Sequence, residues 1–343
     1  MSNLHIIAEA GTNHNASSKT AKKLIDVAVE SGADSVKFQI IYPEGLYVSK
    51  IYQDGVCREN EVIAIRRAGM LQDEDYLELA TYSEQKGMPL SASVFCEKGL
   101  SLLDRLEPPY IKIASCDLNN SLLLHKAAEL GHKLIVSTGM ASLKEIEQAV
   151  KEITANGFND LVLMHCVSVY PCPTGQMNLG FLQTLKQEFG FPIGLSDHTE
   201  NSLAAAVAVS MGVSWIEKHY TLDRSSEGFD HAYAMEPDML KQYIMDVRMV
   251  EQACRSPVAK VGESESNVKI RARRGLYASR DIGAGEVISI DDVVALRPES
   301  EFSPQQAGVV IGKVAGCDIK QFEGFSASAL KGTAVPTTPV KTA

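Results

Sequence analysis

Short runs of apolar and β-branched residues recur through the first 255 residues of this 343-residue chain, and amphipathic stretches separate most of them. Such runs are typical of strands buried on both faces, which are apolar at nearly every position. The intervening stretches carry apolar residues at three- and four-residue spacing, and several end in glycine, as helices do. We predict eight strands, at residues 5–11, 35–40, 89–95, 110–115, 133–138, 161–166, 192–197 and 214–220.

The alternation of strands and helices indicates a parallel sheet that is covered by helices. Eight strand–helix units in about 250 residues predict an α/β fold of the (β/α)8, or TIM, barrel class. An open doubly wound sheet is the alternative. It should carry a glycine-rich phosphate turn after its first strand, and AEAGTNHNAS contains no G-x-G-x-x-G pattern. We therefore prefer the closed barrel.

The pattern of the chain changes after residue 255. We predict a catalytic barrel domain over 1–255, a polar linker over 256–272 and a small domain of short strands and turns over 273–331. The tail, 332–343, has no large apolar residue besides valine, so we predict that it is disordered.

Composition argues against several functional classes. The formal net charge of −10 argues against general binding of nucleic acid or anionic lipid, although a local basic pocket is compatible with it. No apolar run reaches the roughly 18 residues of a membrane span. The N-terminus, MSNLHIIAEAG, lacks the pattern of a signal peptide, and the seven cysteines include no C-x-x-C pair. We therefore expect a soluble cytoplasmic protein with reduced thiols and no membrane or nucleic-acid partner.

Polar residues end or follow almost every predicted strand, which is where barrel enzymes carry their chemistry. In chain order they are Glu9, Lys37, Gln39, Ser93, Lys112, Ser115, Ser137, Ser168, Tyr170, Ser196, His198, Glu217 and His219. Serines at four successive strand ends together point to a phosphorylated or carboxylated ligand. The two lysines need an anionic partner, because an unpaired buried ammonium group is costly. We prefer an anionic substrate as that partner, and an ion pair with Glu9 or Glu217 is the alternative.

Two histidines, His198 and His219, follow or end neighbouring strands, so they should lie roughly 5 Å apart. Two imidazoles at that separation can share a divalent metal ion and leave positions open for water and substrate. Strand-end histidines can also be structural, but their position beside the lysine and serine cluster favours a metal site.

The chain resembles the N-acetylneuraminate (sialic acid) synthases, a family that includes the legionaminic and pseudaminic acid synthases. The motifs that carry the resemblance are, in order, IIAEAGTNHN, ADSVKFQ, YIKIAS-x-D, VSTGM, HC-x-S-x-YPCP, GLSDHT, IEKHYTLDR, GFDHAYAMEPDML, ARRGLYASRDI and VALRP. The resemblance implies a TIM barrel with a C-terminal antifreeze-like (SAF) domain, in a domain-swapped homodimer. It also implies condensation of phosphoenolpyruvate with N-acetylmannosamine or a related 2-acetamido sugar, with release of phosphate by C–O cleavage.

The resemblance further implies roles for individual residues. The ligands of a divalent ion, Mn2+ or else Mg2+ or Co2+, would be His198 and His219. The phosphoenolpyruvate contacts would be Lys37, Ser93, Lys112, Ser115, Ser137, Ser168 and Ser196. The sugar contacts would be Glu9, Gln39, Tyr170, Asp230 and, lent by the partner subunit, Arg297. The catalytic residues would be Glu9, Glu217 and His219, and the sequence does not decide which carboxylate handles protons.

Several alternatives stay open at this point. Pro298 and Glu299 follow Arg297 where the family commonly has glycine or lysine, so the lid near the acyl group could differ and the identity of the sugar stays open. A legionaminic or pseudaminic acid synthase that acts on a diacetamido-dideoxy hexose is the alternative. A Schiff-base aldolase with Lys37 or Lys112 as nucleophile is a remoter alternative, and the paired histidines count against it. An ice- or carbohydrate-binding protein is a third, against which the polar strand ends argue.

Overall fold

The computed structural model describes residues 4–256 and 258–332. The chain forms two compact units, Met1–Ser256 and Pro257–Ala343. Apart from Gly332, the tail predicted at 332–343 lies outside the described residues.

The first unit is built from strands and helices in alternation. Its strands are β1 (His5–Gly11), β2 (Ser35–Ile40), β3 (Lys50–Gln53), β4 (Val56–Glu59), β5 (Leu90–Val94), β6 (Ile111–Ile113), β7 (Leu134–Ser137), β8 (Leu161–Cys166), β9 (Ile193–Asp197) and β10 (Trp215–His219). Its helices are α1 (Ser18–Ser31), α2 (Pro43–Leu46), α3 (Glu61–Ala68), α4 (Asp73–Gln85), α5 (Glu97–Asp104), α6 (Ser121–Glu129), α7 (Leu143–Thr154), α8 (Phe181–Phe189), α9 (Leu203–Ser210) and α10 (Pro237–Ala253).

Eight of these strands close into a parallel barrel with the order β1-β10-β9-β8-β7-β6-β5-β2. The closed barrel predicted from the sequence is confirmed, and the open doubly wound alternative is wrong. Each barrel strand begins and ends within two residues of its predicted bounds. The agreement is close because strands that are buried on both faces leave a continuous apolar run in the sequence.

Helices end where the sequence supplies capping residues. The Ser17 side chain accepts a hydrogen bond from the backbone of Thr20 at the start of α1, and Gly32 ends that helix in a left-handed conformation with φ of 80°. Ser142 and Glu145 form a reciprocal capping box at the start of α7. These caps fix the bounds of the helices and hence the lengths of the loops above the barrel.

Between β2 and β5 the chain forms additional elements outside the barrel that we did not predict from the sequence. Strands β3 and β4 pair as an antiparallel hairpin around Asp54 and Gly55, both with positive φ, and α3 follows. All eight hairpin strand residues are exposed, so the burial pattern that reveals a strand is missing there.

Side chains of alternate strand positions fill the barrel interior in layers. The lower layer contains an apolar cluster of Ile7, Tyr110, Ile135, Val162, Met164 and Trp215, and the buried hydroxyls of Ser35 and Ser91 contact Tyr110 beside it. Because side chains alternate along a strand, the residues two positions further on point into the barrel again, closer to its carboxyl end. Those positions form the upper layer, which includes Glu9, Lys112, Ser137, Cys166 and Glu217.

The second unit consists of α11 (Glu263–Ala272), β11 (Gly275–Ala278), β12 (Val293–Leu296), α12 (Ala307–Val310), β13 (Val314–Ala315) and β14 (Leu330–Lys331). Strand β11 pairs with β12 and β13 pairs with β14, both antiparallel, around a small core that includes Leu276, Ile288 and Phe325. The linker predicted over 256–272 contains helix α11, which the sequence did not reveal because none of its residues is buried.

Among the described residues, none of the helices combines the length and the apolarity that crossing a bilayer requires.

Candidate functional site

A cavity of about 270 Å³ opens at the carboxyl ends of the barrel strands, and we call it the mouth cavity. Thirteen of the fifteen predicted site residues line it, namely Glu9, Lys37, Gln39, Ser93, Lys112, Ser115, Ser137, Ser168, Tyr170, Ser196, His198, Glu217 and His219. The other two, Asp230 and Arg297, lie outside its lining. The barrel thus brings together side chains that are up to 210 positions apart in the chain, between Glu9 and His219.

Two buried lysines and two buried carboxylates form a continuous ion-pair network in this cavity. Lys37 Nζ lies 2.6 Å from Glu9 Oε2 and 3.5 Å from Glu217 Oε2. Lys112 Nζ lies 2.9 Å from both carboxylate oxygens of Glu217. All four side chains are at most 4% exposed. The ion-pair alternative from the sequence is therefore present, and the burial of these lysines does not by itself require an anionic substrate, contrary to our preferred explanation.

The barrel register explains part of this network, and the contacts of Glu217 with the two lysines cross the barrel interior. Glu9 of β1 pairs with Lys37 of the neighbouring β2, and Ser93 of β5 pairs with Lys112 of β6. Lys37 also donates a hydrogen bond of 2.8 Å to the Ser93 hydroxyl. Neighbouring strands thus present opposite charges and a hydroxyl at one level, which leaves the ammonium groups well satisfied despite their burial.

The two carboxyl groups differ in their proton affinity. Burial raises the pKa of Glu9 to about 7, although the nearby charge of Lys37 opposes the shift. Burial also disfavours ionisation of Glu217, but the charges of Lys112 and Lys37 outweigh it and hold the pKa of Glu217 well below its usual value. Glu217 is therefore a fixed negative charge, whereas Glu9 can take up or release a proton near neutral pH.

His198 and His219 lie on adjacent strands with ring centroids 5.6 Å apart, close to the predicted separation. His198 Nδ1 lies 2.8 Å from the Val167 carbonyl oxygen, which can only accept, so Nδ1 carries the hydrogen and Nε2 is free of it in the neutral ring. Burial lowers the pKa of His219 to about 3, so its imidazole is neutral. Nδ1 of His219 is buried without a hydrogen-bond partner.

These histidines suit a metal ion in their chemistry, but they do not form a complete protein cage. A neutral imidazole such as that of His219 is a common ligand of divalent ions, whereas Cys166 outweighs the effect of burial and raises the pKa of His198, so a metal ion would compete with a proton there. Nδ1 of His219 is buried and has no hydrogen-bond partner among the described residues, which is unusual for a ring nitrogen. Within residues 4–256 and 258–332, no group of three or more histidine, cysteine or carboxylate side chains is arranged to hold a metal. Water and substrate would therefore have to supply the other ligands.

Hydroxyl groups surround the network, and their hydrogen bonds differ. Ser196 donates a bond of 2.8 Å to Glu217, and Ser115 accepts one of 3.0 Å from the backbone of Gly139. The Ser137 hydroxyl is buried without a partner. Of these three serines, Ser137 is the one whose hydrogen-bonding capacity is unused.

Tyr170 forms an aromatic wall beside the histidines. Its ring lies 4.1 Å from that of His198, 6.1 Å from that of His219 and 4.8 Å from that of Tyr233, measured between centroids. The side chain is 45% exposed, so one part of it faces solvent at the cavity rim. An apolar ring at that position suits the carbon face of a sugar.

Asp230 lies next to the mouth cavity. Its Oδ1 accepts a hydrogen bond of 2.6 Å from the Tyr233 hydroxyl, and its Oδ2 is buried without a partner. A Cβ atom at Gly11, the last residue of β1, would lie 2.8 Å from that Oδ2 and 3.4 Å from Gln39 Nε2. Gly11 has φ of 55°, so glycine is required there both by the backbone and by the close approach of Asp230.

Arg297 is exposed and directly follows β12 in the second unit. Its predicted contact with the acyl group of a sugar bound to a partner subunit stays a prediction.

The sequence did not reveal Cys166, which lines the mouth cavity, or Gly139, which lies beside two of its serines. Cys166 ends β8 and lines the cavity, and its pKa is lowered to about 7, because His198 outweighs the effect of burial. A Cβ at Gly139 would lie 2.6 Å from the Ser168 hydroxyl and 2.8 Å from the Ser115 hydroxyl. Cys166 ends an apolar run, where a cysteine is indistinguishable from an ordinary core residue. Gly139 makes room for two serines but has no side chain that would indicate a functional role.

A family model described as the NeuB family matches residues 24–259, and a model of the SAF domain matches residues 273–330. The SAF match confirms the class of small C-terminal domain that the motifs implied.

Relatives and solved structures match nearly the whole chain. The N,N'-diacetyllegionaminic acid synthase of Campylobacter jejuni is 34% identical over 326 residues, which cover 93% of this chain and 97% of that protein. The pseudaminic acid synthase of the same species is 31% identical over 320 residues, with 92% and 93% covered. The crystal structure of the N-acetylneuraminic acid synthetase of Leptospira borgpetersenii with citrate superposes with a TM-score of 0.70 at 32% identity, covering 78% of this chain and 90% of that one.

Proposed function

The chain belongs to the NeuB family, as its motifs predicted, and on that premise we propose that it is a nonulosonic acid synthase. It would join the methylene carbon of phosphoenolpyruvate to the aldehyde carbon of N-acetylmannosamine or a related 2-acetamido sugar. Water then adds to the former enol carbon, and phosphate leaves by C–O cleavage. One observation supports this function above the others: lysines, carboxylates, hydroxyls and two imidazoles share a single cavity.

The phosphoenolpyruvate side of the cavity follows from charge and hydrogen bonding. The carboxylate would contact Lys37, Ser93 and Lys112, and the phosphate would contact Ser115, Ser137, Ser168 and Ser196. The ammonium groups of Lys37 and Lys112 already have carboxylate partners in the protein. The substrate would therefore replace part of these ion pairs instead of binding to unpaired charges. The partnerless hydroxyl of Ser137 can donate a hydrogen bond to phosphate without losing one elsewhere.

A divalent metal ion, Mn2+ first and Mg2+ or Co2+ as alternatives, would be held by His198 and His219. The 5.6 Å between their rings and the low pKa of His219 support this assignment. When bound, such an ion supplies Lewis-acid polarisation of the aldehyde oxygen. His198 is oriented for it by its hydrogen bond to the Val167 carbonyl, since that bond holds Nδ1 and directs Nε2 toward the Ser196 hydroxyl, 3.4 Å away.

Glu9 is the better of the two carboxylates for proton transfer. Its pKa of about 7 matches the operating pH of a cytoplasmic enzyme, whereas Glu217 stays ionised between two lysines. Gln39 donates a hydrogen bond of 3.0 Å to Glu9 Oε1 and so fixes its orientation. We infer that Glu9 exchanges a proton with the sugar, while Glu217 holds Lys37 and Lys112 in position.

The acceptor sugar would contact Glu9, Gln39, Tyr170 and Asp230. The buried, partnerless Oδ2 of Asp230 can accept a sugar hydroxyl. We also propose that the active form is a cytoplasmic, domain-swapped homodimer, in which Arg297 of the partner subunit contacts the acyl group of the sugar.

The Schiff-base alternative receives less support. An amine must be neutral to attack a carbonyl, and the carboxylates of Glu217 and Glu9 outweigh burial and raise the pKa of Lys37. Borohydride trapping with a carbonyl substrate in the presence of chelator should therefore leave the protein unlabelled.

The direct test is release of phosphate from phosphoenolpyruvate with Mn2+ and a panel of amino sugars. We expect release that depends on an N-acetylated sugar, stops with chelator and yields a nine-carbon acid by mass spectrometry. Release at the same rate without any sugar, or none with any member of the panel, would contradict a synthase.

A further inference from the structure

A second cavity, of about 400 Å³, lies beside the mouth cavity at the carboxyl side of the barrel. It is lined by the loop after β1, by helix α3 and the residues after it, and by the loop after β10. The lining residues that matter here are Thr12, Ile65, Arg66, Met70, Glu227 and Phe229. None of them belongs to the predicted catalytic or binding set.

The two cavities adjoin through two chain segments. Gly11 lies between Asp230 and the side chains of Gln39 and Glu9, at 2.8, 3.4 and 3.6 Å from where a Cβ would be. The next residue, Thr12, lines the second cavity, and so does Phe229, the neighbour of Asp230. Gly11 and Asp230 are therefore each adjacent in the chain to a residue that lines the second cavity. A ligand that contacts Asp230 from the mouth cavity lies close to that second cavity.

Arg66 carries unused hydrogen-bonding capacity in this cavity. Its guanidinium carbon lies 3.5 Å from the centroid of the Phe229 ring, so the two groups stack. Its Nε atom is buried and has no hydrogen-bond partner among the described residues. A buried donor on a charged group is costly when left unpaired, so an acceptor from a ligand would satisfy it.

The surroundings indicate which kind of acceptor fits. Ile65, Met70 and Phe229 supply apolar surface, and the lining carries one acidic residue, Glu227, as well as the basic Arg66. The cavity therefore favours a neutral group that has one strong acceptor and a small apolar part over a phosphate or a carboxylate. An N-acyl group has both features, since its carbonyl accepts and its methyl packs.

We propose that Arg66 and Phe229 form an acyl-binding subsite that recognises an acylamino group on the part of the acceptor sugar remote from its aldehyde. This inference rests on the proposed function and narrows it to 2-acetamido sugars that carry a second acylamino group. Arg66 donates its Nε–H to the acyl carbonyl, and the methyl group packs on Ile65 and Met70. Arg66 is thus a specificity-determining residue, outside the catalytic machinery.

The test compares Arg66→Met with the matched control Arg67→Met. Arg67 is the next residue of the same helix, but it is exposed, is paired with Glu44 and does not line the cavity. With phosphoenolpyruvate and Mn2+, kcat/KM is measured for a diacetamido sugar and for N-acetylmannosamine. We expect Arg66→Met to lower the value for the diacetamido sugar by about tenfold or more and to leave that for N-acetylmannosamine within about twofold. Arg66→Lys should behave like Arg66→Met, because an ammonium group does not replace the planar fork.

Other outcomes overturn the subsite. If Arg66→Met lowers kcat/KM equally for both sugars, Arg66 only holds the loop that carries Phe229 in place. If the wild-type protein prefers N-acetylmannosamine, it does not recognise a second acyl group. Binding of the diacetamido sugar is followed in parallel by ligand-observed NMR. If no sugar supports phosphate release, the proposed function fails. The subsite then stands only if the wild-type protein binds the diacetamido sugar and Arg66→Met does not.

Discussion

The lower and upper layers of the barrel interior lie two residues apart on the same strands, yet they differ sharply in chemistry. Ile7 is followed by Glu9, Tyr110 by Lys112, Ile135 by Ser137 and Trp215 by Glu217. The lower layer is mainly apolar, whereas the upper layer buries charges and the Ser137 hydroxyl, which has no hydrogen-bond partner among the described residues. These four strands therefore contribute packing at one level and chemistry at the next.

The difference teaches how a barrel can hold costly groups. Buried ion pairs contribute little net stability, because desolvation offsets their attraction. Apolar burial contributes about 25 cal/mol per Å² instead, so the lower layer and the interface with the helices stabilise the fold. Substitutions in the two layers should therefore have different effects. Those in the lower layer should reduce the free energy of unfolding, and those in the upper layer should reduce turnover.

The largest expected effect comes from the upper layer. His219→Ala should lower turnover by at least about a thousandfold, equivalent to about 4 kcal/mol, because it removes one of two protein ligands of the proposed metal. The fold should persist, since Nδ1 of His219 makes no hydrogen bond. Steady-state kinetics with Mn2+ and circular dichroism measure the two quantities. The exposed histidine substitution His125→Ala serves as control, and full activity of His219→Ala with added Mn2+ would refute the ligand assignment.

In the lower layer, Ile135→Ala should reduce the free energy of unfolding by about 2–5 kcal/mol, because it leaves a cavity in a fully buried layer. The KM for phosphoenolpyruvate should stay within about twofold of the wild-type value below the melting temperature. Urea unfolding and steady-state kinetics give both numbers. A raised KM with an unchanged unfolding midpoint would show that the layers are not separate.

Glu9→Gln should change how stability depends on pH. The pKa of Glu9 is raised from 4.5 to about 7 in the folded state, so its contribution is complete below about pH 4.5 and is lost as pH rises through about 7. Relative to the variant, which cannot titrate there, the wild-type protein should lose up to about 3 kcal/mol between pH 4.5 and 8. Urea unfolding in chelator at several pH values measures this difference, and parallel pH curves for the two proteins would argue against the raised pKa.

The smallest effect is expected for Ser137→Ala, two residues from Ile135 on β7. Its hydroxyl has no hydrogen-bond partner in the described part of the chain, so the free energy of unfolding should change by less than about 0.5 kcal/mol. The KM for phosphoenolpyruvate should rise by roughly three- to tenfold if the hydroxyl donates to the phosphate. A loss of stability without any change in KM would assign Ser137 to packing instead.

Much of the barrel could be predicted from the sequence, because burial on both faces marks each strand. The gathering of polar strand ends at one mouth also followed from parallel topology. What the sequence could not decide was the partner of each lysine. That choice depends on the closed barrel. Register sets Lys37 beside Glu9 on neighbouring strands, whereas Lys112 of β6 meets Glu217 of β10 across the barrel interior. Register emerges only when the strands close.

Exposed elements escaped prediction for the opposite reason. The β3–β4 hairpin and helices α3 and α11 carry almost no buried residues, so no apolar periodicity marks them. Arg66 lies on α3, and its stacking on Phe229 joins segments that are 163 positions apart. A stacked pair between α3 and a loop so far away in the chain produces no pattern in the local spacing of residues. The second cavity could therefore not be predicted from the sequence.

The network of Lys37, Glu9, Glu217 and Lys112 has one further consequence. Before any substrate arrives, the ionised Glu217 lies beside both lysines, and Glu9 adds a second negative charge above its pKa of about 7, so the two cations are largely balanced by carboxylates. Phosphoenolpyruvate, a trianion, would bind by exchanging ion-pair partners with the carboxylates and by interacting with the metal ion. Its affinity should therefore depend more on the metal than on ionic strength. The barrel would then remain stable between catalytic cycles without a ligand to neutralise it.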